Sequence, residues 1–311
     1  MADWTTAVTI MGSFGAASTA QIISHVLTNN REKKKHDKEC LQNLYSPVIF
    51  RIVDYLEVEY KKSETHIRLK GMEIDVLISN SYHKERRQRY EEYILEASSI
   101  FKVVIESISK NLKYAHSSLI LAYEDHEALS ASFKENEINN FQVFSKKIKI
   151  CRELLIEFVR ISNKLDALSK PMLEKVQGAL FFTEFYLLLL DCNYEILAEK
   201  IIKYYEGLSK IPLNESNYLD RIAYIRKEIS LVPIGTTAYI NKEATAYTHA
   251  YQFFHEVVDE MCENRQLFWV PARFEEVRKE LNYTGTDKLK HYEYRRKYYE
   301  MGIYDIYRRW E

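Results

Sequence analysis

Three features of the sequence predict an all-α fold. Its 311 residues include only 8 Gly and 5 Pro, the two residues that interrupt helices and punctuate the turns of β folds. Apolar residues recur three and four positions apart through long stretches, which lines one face of a helix. Alternating runs that would mark strands are few: Met72 to Ile78 is apolar and branched, but short, and reads as either helix or strand. The length suits one large or two medium domains. With 44 basic and 45 acidic residues the formal charge is −1, so a charged partner has to be met by a local patch and not by a global field.

Taken in order, the first element is an uncharged run. Trp4 to Asn30 contains no Asp, Glu, Lys or Arg. At about 1.5 Å per residue, some twenty residues of helix cross a bilayer core, so residues 1–30 are expected to hold a transmembrane helix from Ala7 to Leu27, with Trp4 at the interface. Thr, Ser and Gly dilute the run, and Gln21 and His25 lie in its second half; the alternative is a buried N-terminal helix. Gly12, Ala16 and Ala20 recur every four residues, a spacing that lets helices approach closely in lipid and suggests a homo-oligomer. Residues 31–40 form a basic juxtamembrane collar of Arg31, Lys33, Lys34, Lys35 and Lys38. Cations beside a span stay cytoplasmic, which puts the N-terminus outside, the body inside, and membrane lipid among the partners.

The body is expected to divide into helical subdomains 41–170 and 171–311, the second packed on the first. Ser46 and Pro47 read as N-cap and first helical position, with Val48, Ile49, Ile52, Tyr55 and Leu56 as the apolar stripe. The span, the collar and the Leu44-Tyr45-Ser46-Pro47 helix together resemble bacterial proteins tethered to the membrane by one N-terminal helix. That resemblance covers roughly the first fifth of the chain and implies a location but no activity. Glu91 to Leu121 reads as one amphipathic helix through Tyr93, Ile94, Ala97, Ile100, Phe101, Val104, Ile105, Ile108 and Leu112. Phe141 to Leu168 reads as another, and Pro171 marks the start of the next. Val176 to Leu190 is the most apolar stretch of the body. It carries Glu184 and is too short to span a bilayer, so it is expected to be a central core helix. Loops are expected at Ile211–Asn217 and Val232–Gly235, then a helix rich in Ala and Tyr from Thr236 to Asn264, a break at Pro271, and a turn at Asn282–Gly285.

Few residues carry recognisable chemistry. Arg31 and His36, with four residues between them, resemble the Arg–His signature of HEPN-type ribonucleases, in which the two would polarise a phosphate and shuttle a proton; this gives a toxin-like or defence effector as the alternative function. His249 and His255 lie on a predicted helix near Glu256, Asp259 and Glu260, but six residues apart they face different ways. Cys40, Cys151, Cys192 and Cys262 show no C-x-x-C spacing, and no Gly-rich phosphate loop or G-x-S-x-G is present. No metal or cofactor is therefore expected. The C-terminal Tyr304, Tyr307, Arg308, Arg309 and Trp310 combine the residue types that anchor protein interfaces. Neighbouring acidic residues nearly cancel their charge, so a nucleic-acid partner is not expected. Together these features suggest a membrane-tethered cytosolic interaction or regulatory protein, bacterial or phage, that acts by binding a protein partner.

If the small-residue face drives self-association, Gly12→Ile and Ala16→Ile should each lower the oligomer content in detergent. The branched side chains would hold the backbones apart and remove contacts worth roughly 1 kcal/mol. An unchanged sedimentation profile would exclude this face.

Overall fold

The computed structural model describes residues 28, 30–72, 80–132, 140–211, 217–230, 248–260 and 279. Helices dominate these residues, and no strand occurs among them. The expected span Ala7 to Leu27 lies outside the described residues. Within them, no helix is long and apolar enough to cross a membrane.

The first helix does not begin at Ser46, as its capping residues suggested. Residues 30–40 are already helical (α1), and the chain continues through a π-helical turn, Leu41–Tyr45, into α2, Ser46–Met72. Proline has no N–H and its ring clashes with the carbonyl four residues back. Here the backbone N–H of Ser46, itself in the right-handed helical region, bonds the carbonyl of Leu41. This wider turn carries the helix past Pro47 without a break.

The expected helix Glu91–Leu121 is in fact two. Helix α3 spans Asn80–Lys110, a 3₁₀ turn covers Leu112–Tyr114, and α4 spans Ser117–Ser132. Asn111 leaves the helical region, and its side-chain amide donates back to the Ser107 carbonyl at 3.0 Å. Local polar side chains of this kind compete with continuation of a helix. The corner is held by the buried Tyr45 hydroxyl, which accepts the His116 N–H at 3.3 Å. Helix α5 spans Asn140–Leu165 and α6 spans Lys170–Asp191, with Ser169 extended at its N-cap and Pro171 in its first turn, as expected. Asp166 and Asn193 adopt positive φ (49° and 58°) just past the ends of α5 and α6. Ala167 and Tyr194 then donate back to the carbonyls of Ser162 and Leu189, which closes each helix end. Short helices α7, Glu195–Ile201, and α8, Tyr205–Leu208, are joined by a 3₁₀ turn. Helix α9, Tyr218–Ser230, and α10, residues 248–260, complete the described set.

Helices α2 and α3 form an antiparallel hairpin, with α5 and α6 packed beside α2. Helix α6 lies at the centre, buried at every position from Gly178 to Tyr186. Its Phe181 and Phe185 meet Tyr218, Phe253 and Phe254 at ring separations between 5.4 and 6.1 Å, the range in which aromatic pairs gain energy beyond burial. Gly178 faces the backbone of Ser209, whose carbonyl oxygen a Cβ would overlap.

The one buried carboxylate of α6, Glu184, is 6% exposed. It accepts the Arg152 Nε of α5 at 2.8 Å and is also paired with Arg226 of α9. Arg226 in addition reaches Asp191 at 2.8 Å and the Glu184 carbonyl at 3.1 Å. Arg226→Ala leaves the carboxylate half-paired and should destabilise the fold by roughly 2–3 kcal/mol, below the range for a fully dry pair because the guanidinium keeps some water. Replacing the set by Glu184→Gln with Arg226→Met should recover much of the loss. Urea denaturation curves of both variants test this; equal loss in both would show that the charge pairing is not what matters.

Candidate functional site

Helix α1 carries the collar. Arg31, Lys33, Lys34, Lys35 and Lys38 are all exposed. At about 100° per residue, Arg31, Lys34, Lys35 and Lys38 share an arc of about 100°. Asp37 and Cys40 lie on the opposite side and are buried, 7% and 5% exposed. Asp37 is ion-paired with Lys164 of α5, and Leu44 and Tyr45 of the π turn enter the core. The cationic face is thus turned outward on a helix fastened to the body along its other side.

Arg31 and His36 are not brought together on one face of α1. Both are exposed, and five residues turn a helix through about 500°, which leaves them about 140° apart. His36 Nε2 lies 3.4 Å from Cys40 Sγ. His249 Nδ1 lies 2.8 Å from Glu228 of α9, while His255 packs edge-on against Tyr251 at 4.5 Å. The two histidines therefore face different neighbours, as their spacing indicated. Gly12, Ala16 and Ala20, and the tract Tyr304, Tyr307, Arg308, Arg309 and Trp310, lie outside the described residues.

A site that the sequence did not indicate opens between α2, α3, α5 and α7. It is a cavity of about 400 Å³, within the size range of small-molecule pockets. Helix α2 supplies Glu59, Lys62, Ser63 and His66; Tyr90, Ile94 and Ser98 come from α3 and Lys147 from α5. Glu59 is 5% exposed and forms an ion pair with Lys62 one turn away. His66 stacks on Tyr90 with ring centroids 5.3 Å apart. Burial, with the Glu59 charge second, pushes the Tyr90 hydroxyl above its ordinary value. Ile94, Phe141, Val143, Phe144 and Ile202 make the remaining wall apolar.

Lys147 is the unusual group. It is half-buried, with its ammonium 5.0 Å from the centroid of the Phe101 ring, a cation–π geometry. Tyr55 and the buried His126 also pack against that ring, at 5.0 and 5.5 Å. Among the described residues no carboxylate lies within ion-pair distance of Lys147. Burial holds its ammonium below the ordinary lysine range, an effect that the Glu59 charge opposes. The cavity therefore combines ammonium and hydroxyl donors with apolar lining residues. Its residues come from four helices and the 3₁₀ turn that follows α7. Only the helical spacing of Glu59, Lys62 and His66, which puts all three on one face of α2, offered a signal.

No protein-family model matches the chain, and neither a curated protein nor a solved structure matches it. The partial burial of Lys147 has a measurable consequence. Its folded-state pKa lies below the unfolded value, so the native state binds fewer protons and gains stability as pH rises toward the ordinary 10.5; that stability is lost as pH falls. Lys147→Met, similar in shape and uncharged, should raise stability at pH 7 by about 1 kcal/mol, or roughly 2–4 °C in Tm. The advantage over the native chain should shrink between pH 7 and 10. A destabilised variant, or a gap that does not change with pH, would contradict this.

Proposed function

We propose that this chain is a membrane-tethered interaction or regulatory protein, of bacterial or phage origin, whose work is binding. In this reading the uncharged N-terminal run holds it in the cytoplasmic membrane with the N-terminus outside. The body stays cytoplasmic and meets a protein partner, and the Tyr- and Arg-rich C-terminal tract is part of the contact surface. The supporting observation is the outward stripe of Arg31, Lys34, Lys35 and Lys38 on a helix fastened to the body through Asp37, Cys40 and the π turn.

Cations at the surface of an anionic leaflet contribute about 1 kcal/mol each within a Debye length. The four would hold α1 against lipid headgroups with roughly 4 kcal/mol at low salt, which would also fix how the body is oriented for its partner. The ribonuclease alternative gains no support from the positions of Arg31 and His36.

Vesicle flotation of the full-length chain tests the reading. It should float with phosphatidylcholine vesicles and remain bound through high salt and carbonate, because the N-terminal run inserts. Vesicles with added phosphatidylserine should recruit it more strongly. Replacing Arg31, Lys34, Lys35 and Lys38 together by Gln should remove that preference and leave the insertion. A chain that stays in the soluble fraction with both vesicle types overturns the tether. A preference that survives the four substitutions overturns the role of the stripe.

A further inference from the structure

We propose that the cavity between α2, α3, α5 and α7 is a binding site for a small amphiphilic monocarboxylate, with Lys147 receiving the carboxylate and the apolar wall receiving the organic body. The charges of the lining leave one cation over. Glu59 is satisfied by contact with Lys62, and Glu199 at the rim is exposed and so screened by water. Lys147 is left as the half-buried cation without a contact carboxylate among the described residues.

Buried charges in proteins are normally paired. An ammonium held on an aromatic face at the edge of a cavity is therefore a group in want of an anion. One such cation beside a neutralised pair matches one negative charge. A phosphate monoester dianion would bring a second charge close to Glu59, with nothing to offset it. Ser63 and Tyr90 supply hydroxyl donors for the second carboxylate oxygen. Ile94, Phe141, Val143, Phe144 and Ile202 favour an aliphatic or aromatic body over a sugar. The cost of keeping Lys147 partly dry is then explained by use, since sites for ligands are commonly kept at the expense of stability.

The site belongs wholly to the helical body and would bind its ligand with or without a membrane tether. The test uses the full-length chain and two probes of nearly equal shape, 4-phenylbutyrate and the neutral 4-phenyl-1-butanol. Isothermal titration at pH 7 should show the carboxylate binding at least tenfold more tightly than the alcohol. In Lys147→Met, affinity for the carboxylate should fall at least tenfold while affinity for the alcohol stays the same or rises. Lys147→Gln should behave as Lys147→Met does toward the carboxylate, and the thermal midpoint of each variant reports that it is folded. Raising the pH should weaken carboxylate binding before the ordinary lysine value of 10.5 is reached. Equal affinity for both probes, no carboxylate binding at millimolar concentration, or carboxylate binding unaffected by both substitutions would each overturn the proposal.

Discussion

Burial of Glu184 is the constraint on which the helical body depends. Helix α6 is covered on nearly every side, and a helix that is apolar all round can sit only in a core. A carboxylate in that position would be expensive without cations, so α5 and α9 must bring Arg152 and Arg226 to it. These two contacts fix the rotation of α5 and α9 about their axes. The aromatic cluster of Phe181, Phe185, Tyr218, Phe253 and Phe254 packs around the same helix.

The same division between packing and direction recurs at the start of the described chain. Leu44, Tyr45, Val48 and Ile49 are all buried, but burial alone would allow α1 to fray at Pro47. The π turn removes the clash that proline would impose, and the Asp37–Lys164 pair fastens the turn before it to α5. Positive charge on the outer face of α1 is therefore presented at a fixed angle to the body. A flexible basic tail would not present its charge at a fixed angle to the helices behind it.

The cavity shows the opposite arrangement, in which electrostatic satisfaction is withheld. Elsewhere in the described body, the partly buried Arg152 and Arg226 reach carboxylates. Lys147 reaches the face of Phe101 instead, and that ring rests on Tyr55 and His126. Burial holds the His126 imidazole below its ordinary value, which disfavours a second cation beside this ring. The proposed carboxylate contact rests on this difference.

The helical class, the central position of Val176–Leu190 and the helix start at Pro171 were all legible in the sequence. Each follows from spacing or backbone chemistry that acts within a few residues. Even the odd residue of α6, Glu184, could be read as a charge needing partners, though not which partners. Local reading failed where a helix end was decided by a contact from elsewhere. Ser46 looked like a cap until the π turn carried the helix through it, and the corner after Lys110 is held by Tyr45, 71 residues distant from His116. Folding alone brought Glu59, Tyr90 and Lys147 around one cavity, because they belong to three helices and have no common period in the chain. It also separated Arg31 from His36, since what matters for a reacting pair is the direction of the side chains around the helix, and five residues of helix turn them apart.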